Sequence, residues 1–199
     1  MCRNFNAIHL KKSQGFTLIE TIIGIVVLGI SLSILVAVFP TLIKQSADQL
    51  HQIRATELAQ SMLNEIQHKA FDENSDKSGG LIRCGELAVT CTASAGLGAD
   101  ASESRATYDD VDDYDGLSFH ASAGESIENS QGEALDSLYP GYSISVTVCN
   151  DSDYNGTCLR NDDNDDNIFT AKLITVTIYT PMDLTMNFPI TFSTYRSNF

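Results

Sequence analysis

The sequence predicts an α+β chain: a long N-terminal helix, membrane-spanning in its first half, packed on a C-terminal antiparallel sheet. Three patterns carry this. Residues 16–39 form an apolar run whose only charge is Glu20. Residues 50–66 repeat apolar side chains at spacings near three to five, against a polar remainder. The last third holds three stretches in which apolar and polar residues alternate.

The apolar run is long enough to cross a membrane. As a helix it spans roughly 36 Å, against a hydrocarbon core of about 30 Å. Arg3, Lys11 and Lys12 precede it, so the positive-inside rule keeps residues 1–15 in the cytoplasm and exports the remainder. A secretory signal has an apolar region of only about 7–15 residues with small residues at the cut. Here the best downstream candidate, Lys44-Gln45-Ser46-Ala47, offers bulky Gln45, which argues against secretory cleavage. Gly24 and Gly29 are small residues at which neighbouring helices could approach closely, or simply part of ordinary membrane-helix composition. Pro40 removes a backbone donor and predicts a kink or a loosened turn in a helix expected to run to about His68.

Beyond Pro40 the helix turns amphipathic. Leu50, Ile53, Leu58, Met62, Leu63 and Ile66 are expected to pack on the sheet, opposite Asp48, Gln49, Gln52, Arg54, Glu57 and Glu65. From Phe71 to about Pro140 neither helical nor strand period is sustained, so this stretch reads as long loops with short elements. Ser143–Val148 and Lys172–Tyr179 alternate as strands, and Met186, Phe188, Ile190 and Phe192 mark a third. Pro181 ends the second strand, and Pro189 predicts an edge or a bulge in the third.

The full chain of 199 residues has a net charge of −14. Such acidity, with scattered basic residues, gives no support to nucleic-acid binding or to contact with anionic lipid headgroups. Five cysteines are present. Four of them, Cys84, Cys91, Cys149 and Cys158, form two close pairs in the exported part, which argues for disulfides. Three connectivities exist, and local pairing of Cys84 with Cys91 and of Cys149 with Cys158 is favoured; the spacings do not match the usual zinc-ligand gaps. Asp151-Ser152-Asp153-Tyr154-Asn155-Gly156 follows the opening of an EF-hand loop, with oxygen ligands at positions 1, 3 and 5 and glycine at 6. Position 12 is then Asp162, so Asp151, Asp153, Asn155 and Asp162 are candidate calcium ligands. Leu159 at position 9 offers no side-chain oxygen, and a solvated acidic hairpin tip is the alternative.

The junction Lys11-Lys12-Ser13-Gln14-Gly15-Phe16-Thr17-Leu18-Ile19-Glu20 resembles the class III signal of type IV pilins and pseudopilins. That resemblance implies a pilin-like fold. It also implies cleavage after Gly15 by a prepilin peptidase that methylates the new terminus at Phe16. The chain then divides into a leader (1–15), a transmembrane and assembly half-helix (16–45) and a periplasmic head (46–199). Loss of the leader leaves nine basic side chains against 26 acidic, a net −17. A carboxylate in a membrane segment costs at least about 2.5–3.5 kcal/mol unless it finds a partner. The resemblance implies that Glu20 pairs with the Phe16 amine, often of a neighbouring subunit, as the assembly residue; a simple anchor with Glu20 snorkelling to water is the alternative. Type IV pilins often carry a helix-breaking proline slightly before Pro40, where this chain has Ala37.

Tyr108-Asp109-Asp110-Val111-Asp112-Asp113-Tyr114-Asp115-Gly116 misses the calcium-loop template. It resembles instead a segment of the minor pilins of the mannose-sensitive haemagglutinin (MSHA) pilus. Residues 57–66, 171–177 and 195–199 are similar to other parts of that family. The implied function is a minor type IV pilin, non-enzymatic, residing in the bacterial inner membrane with a periplasmic head and then in the pilus, where it serves surface attachment. Its partners would be the prepilin peptidase, other pilins through the N-terminal helix, and the membrane, with no cofactor required beyond the candidate calcium. A minor pseudopilin of type II secretion shares every N-terminal feature, and a carbohydrate-binding tip adhesin is compatible with the loops. An enzyme is disfavoured, because past the leader only His51, His68 and His120 remain, with no nucleophile–base motif.

Overall fold

A computed structural model describes residues 15–77, 82–135, 137–157, 170–181 and 189–198, apart from the side chains of Thr41 and Lys44. The chain falls into two compact units, Met1–Ala47 and Asp48–Phe199. In the first, helix α1 (Leu18–Gln67) begins after three non-helical residues and leaves all its described side chains from Leu18 to Phe39 exposed. Pro40 lies inside the helix, which continues past it to Gln67.

The second unit is built on the last five turns of α1 and a sheet of four antiparallel strands in the order β1 (Ser118–Phe119), β2 (Ser143–Asn150), β3 (Ala171–Tyr179), β4 (Ile190–Ser197). Strand alternation decides which face is buried. Ile144 pairs with Ile178, Val146 with Val176 and Val148 with Ile174, so these residues share one face. Between them Ser145 meets Thr177 and Thr147 meets Thr175 on the other face. The branched face packs with Ala55, Leu58, Ala59, Met62 and Ile66 of α1 in a single core. Thr175 and Ser193 exchange a 3.0 Å hydrogen bond between β3 and β4. Gln67 Nε2 donates to Thr194 Oγ1 at 2.8 Å and fastens the end of α1 to β4.

Several sequence expectations need adjustment. The sheet has a fourth, two-residue strand, β1, from within the stretch read as loop. β4 is the edge strand and starts directly after Pro189, the position at which proline is tolerated; Met186 and Phe188 lie outside the described residues. Leu50 and Ile53 are not in the core: they are 51% and 64% exposed, while Ala55 and Ala59 are fully buried. The buried stripe therefore begins at Ala55, and small residues let the helix approach the sheet. The loop region also contributes core side chains, since Val111, Tyr114 and Ile127 are buried beside the strands.

This placement predicts a contrast in stability for the full chain in detergent micelles. Met62→Ala should lower the unfolding free energy by about 2–5 kcal/mol, as for a filled core position. Ile53→Ser should change it by less than about 0.5 kcal/mol, as for an exposed one. Denaturant titration of the two variants measures both.

Candidate functional site

The N-terminal segment is built around the start of α1. Gly15 and Phe16 lie outside the helix, exposed, and among the described residues no heavy atom other than those of its chain neighbours lies within 4 Å of where a Gly15 Cβ would stand. The bond after Gly15 is thus in open, non-helical backbone. Thr17 and Glu20 form a reciprocal cap: Glu20 N–H donates to Thr17 Oγ1 and Thr17 N–H donates to Glu20 Oε2, each at 3.4 Å. Glu20 satisfies a backbone donor that the first helical turn leaves without a partner. The Thr-x-x-Glu spacing is the sequence signal of such a box, so Glu20 has a local role at the start of the helix. Beyond it, Thr21 Oγ1 donates to Leu18 O and Ser31 Oγ to Val27 O, both at 2.8 Å. These hydroxyls are satisfied within the helix, as a lipid environment requires. The span is long and apolar enough to cross a membrane, with a mean hydropathy of 2.9 over 18 residues.

In the head, the most concentrated chemistry surrounds Lys172. The β3 alternation places Lys172 in phase with Ile174, Val176 and Ile178, and it has no exposed surface. Its ammonium donates to Asp72 Oδ2 and to Phe71 O, each at 2.9 Å, and to Asp112 Oδ1. The Phe71 ring lies 4.5 Å from Nζ. Burial alone would raise the Asp72 pKa, but Lys172 and the Thr92 and Asn74 N–H groups outweigh it and hold the carboxyl below its ordinary value. Burial pushes Asp112 up to about 6 despite Lys172. Burial, then the charges of Asp112 and Asp113, push Asp110 up to about 7.

The acidic run of residues 108–116 forms a tight turn. Asp110 Oδ1 accepts from Asp112 N at 2.7 Å and Asp113 N at 3.2 Å. Asp113 Oδ2 accepts from Asp109 N and Asp110 N at 2.8 and 3.1 Å. A hydrogen bond to Asp113, then burial, raises Glu103 to about 7. Gly116 follows with φ +82°, a conformation glycine adopts without strain, and its N–H reaches Val146 O at 3.2 Å. A second ionic cluster joins this turn to α1. Glu65 receives Arg105 Nη2 at 2.6 Å and Tyr114 Oη at 2.7 Å, with the guanidinium 5.1 Å from the Tyr114 ring. Nothing in the sequence pattern marks Arg105 as a partner of Glu65.

Cys84 and Cys91 are bonded, with Cα atoms 4.8 Å apart, and pack with Phe71 and Val89 in a second small core. Cys149 is buried and disulfide-bonded; Cys158 lies outside the described residues, as does Asp162. Of the remaining candidate calcium ligands, Asp151 Oδ2 accepts from Tyr195 Oη at 2.7 Å and Gly156 N at 2.9 Å. Asp151 Oδ1 accepts from Asn155 N at 3.2 Å, and Asp153 Oδ2 from Asn155 Nδ2 at 2.8 Å. These bonds close the loop on itself and tie it to β4.

Removing the central ammonium tests the ionic core. Lys172→Met leaves Asp72 and Asp112 buried without their cation and should cost about 3–5 kcal/mol of stability. Adding Asp112→Asn should recover part of that loss, as measured by denaturant unfolding of the two variants.

Residues 10–36 match the family described as Prokaryotic N-terminal methylation motif. No curated protein and no solved structure matches the chain. The matched segment contains Gly15, Phe16, the Thr17–Glu20 cap and the start of the exposed apolar helix. The motif is the substrate signal of prepilin peptidase, and over residues 10–36 it supports a relation to type IV pilin- and pseudopilin-type proteins.

Proposed function

We propose that this chain is a minor type IV pilin of the MSHA kind, processed after Gly15 and incorporated into, or priming assembly of, a pilus for surface attachment. The observation that carries the reading is the methylation motif at the head of an apolar helix whose later turns pack on an antiparallel sheet. The resemblance of residues 57–66, 108–116, 171–177 and 195–199 to MSHA minor pilins supports the finer assignment. These segments are not scattered in the fold. Glu65 on α1 binds Tyr114 of the acidic turn, Lys172 of β3 binds Asp112 of the same turn, and Arg196 of β4 donates to Lys69 O at 3.4 Å.

The roles are those of a substrate and a building block. Gly15 presents an open scissile bond to the peptidase. Cleavage would create an α-amine at Phe16, one residue before the Thr17 N–H that Glu20 already caps. Glu20 can therefore take that amine, its own or a neighbour's, with little rearrangement of the first turn. The head, exported to the periplasm, then carries its acidic surface into the filament. Asp151, Asp153 and Asn155 are candidate calcium ligands within that head, with Asp162, outside the described residues, as the fourth candidate by sequence.

Deletion of the gene tests the reading. Loss of surface pili and of mannose-sensitive haemagglutination is expected; loss of exoprotein secretion with pili intact would assign the chain to a type II secretion pseudopilin instead. Glu20→Val, expressed in the deletion strain, should still be processed but should fall at least about tenfold in the sheared pilus fraction, because an apolar side chain cannot pair with the amine.

A further inference from the structure

A second cluster of carboxylates lies outside the Asp151 loop. Glu73, from the segment after α1, and Asp109 and Asp110, from the acidic turn, each bring one carboxylate oxygen to within 4.8 Å of the other two. The backbone holds these segments together: Ala70 N–H donates to Asp109 O at 3.2 Å and Val111 N–H to Ala70 O at 3.0 Å. Glu73 and Asp109 are exposed, so the cluster opens to solvent on one side. Asp110 closes the other side with no exposed surface. Its Oδ1 is used by the Asp112 and Asp113 N–H groups, whereas its Oδ2 is buried with no partner among the described residues. A buried carboxylate oxygen without a donor is costly, and native structures seldom leave one so. Lys77 pairs with Glu73 and Asp109 at the exposed side, and among the described residues no ion pair joins it to Asp110. One ammonium thus serves two of the three carboxylates.

We propose that Glu73, Asp109 and Asp110 form a calcium site in which the ion takes the place of the Lys77 ammonium and engages the buried Asp110 carboxylate. The donor set is oxygen only, without histidine or thiolate, which selects a hard cation. Calcium holds its oxygens at about 2.3–2.6 Å in flexible geometry, so ligands on opposite sides of its shell stand roughly 5 Å apart. The spread of these three carboxylates fits that shell. The open side leaves room for waters to complete the coordination. Bound there, the ion links the residues leaving α1 to the acidic turn and adds a second tie beside Lys172.

The test uses the full-length protein in detergent, stripped with EDTA and titrated with calcium chloride by isothermal calorimetry, with thermal unfolding in parallel. Calcium should raise the unfolding temperature of the parent protein. Glu73→Gln, at an exposed position that the fold does not depend on, should weaken binding by about tenfold or more, because affinity follows ligand charge. Lys77→Met removes the competing ammonium and should tighten binding. Asp153→Asn, in the Asp151 loop, separates the two candidate sites: binding at this one should persist in it, and adding Asp110→Asn should remove the thermal response that persists while circular dichroism shows a folded chain. Absence of calcium binding by the parent protein would overturn the site, as would binding indifferent to Glu73→Gln and Lys77→Met or lost in Asp153→Asn.

Discussion

The head is organised by one buried ammonium. Lys172 has no exposed surface and donates to Asp72, Asp112 and the Phe71 carbonyl. Those partners come from two different stretches, the chain leaving α1 and the acidic turn, while Lys172 itself belongs to β3. An ion pair of this kind adds little to net stability over apolar packing, but removing one partner is severe. It therefore acts chiefly on specificity, fixing which turn lies against which strand. Among the described residues between α1 and β2, no regular element is longer than three residues. This stretch is placed instead by the ion cluster, by the Glu65–Arg105–Tyr114 contacts and by the Cys84–Cys91 bond.

The two units answer to different solvents. From Leu18 to Phe39 every described side chain is exposed and nearly all are apolar, a composition suited to lipid. From Ala55 to Ile66 one stripe is buried against the sheet and the rest is polar. Glu20 is the exception in the first unit, and its cap on Thr17 N–H gives the carboxylate a partner within its own turn. The capping box Thr17–Glu20 lies within the methylation-motif match of residues 10–36.

Much of the fold was legible because its signals are periodic. The apolar run, the helical repeat and the strand alternation placed α1, β2 and β3 to within a few residues, and of the third alternation Ile190 and Phe192 fall in β4. Leu50 and Ile53 misled because they are apolar and helically spaced, whereas the true stripe is carried by Ala55 and Ala59, which residue counting treats as neutral. β1 is too short for any period. Lys172 was visible as a charge in phase with Ile174, Val176 and Ile178, yet alternation alone names no partner for it. Composition alone does not place the acidic run. Asp110, Asp112 and Asp113 are buried while carboxylates of the run cap the N–H groups of their own turn, a pairing that depends on backbone conformation rather than on residue type. The methylation motif was legible because it is one contiguous stretch of sequence, read without any tertiary contact.

The most direct measurement of the central claim is the intact, non-reduced mass of the protein purified from membranes of a host with an active prepilin peptidase. The account predicts loss of residues 1–15, one added methyl group, and four hydrogens fewer than the reduced chain, two for each disulfide formed by Cys84–Cys91 and Cys149. A full-length, unmethylated mass from the same host would contradict it: residues 16–39 would then be a membrane anchor only, and the Glu20 cap an ordinary helix start.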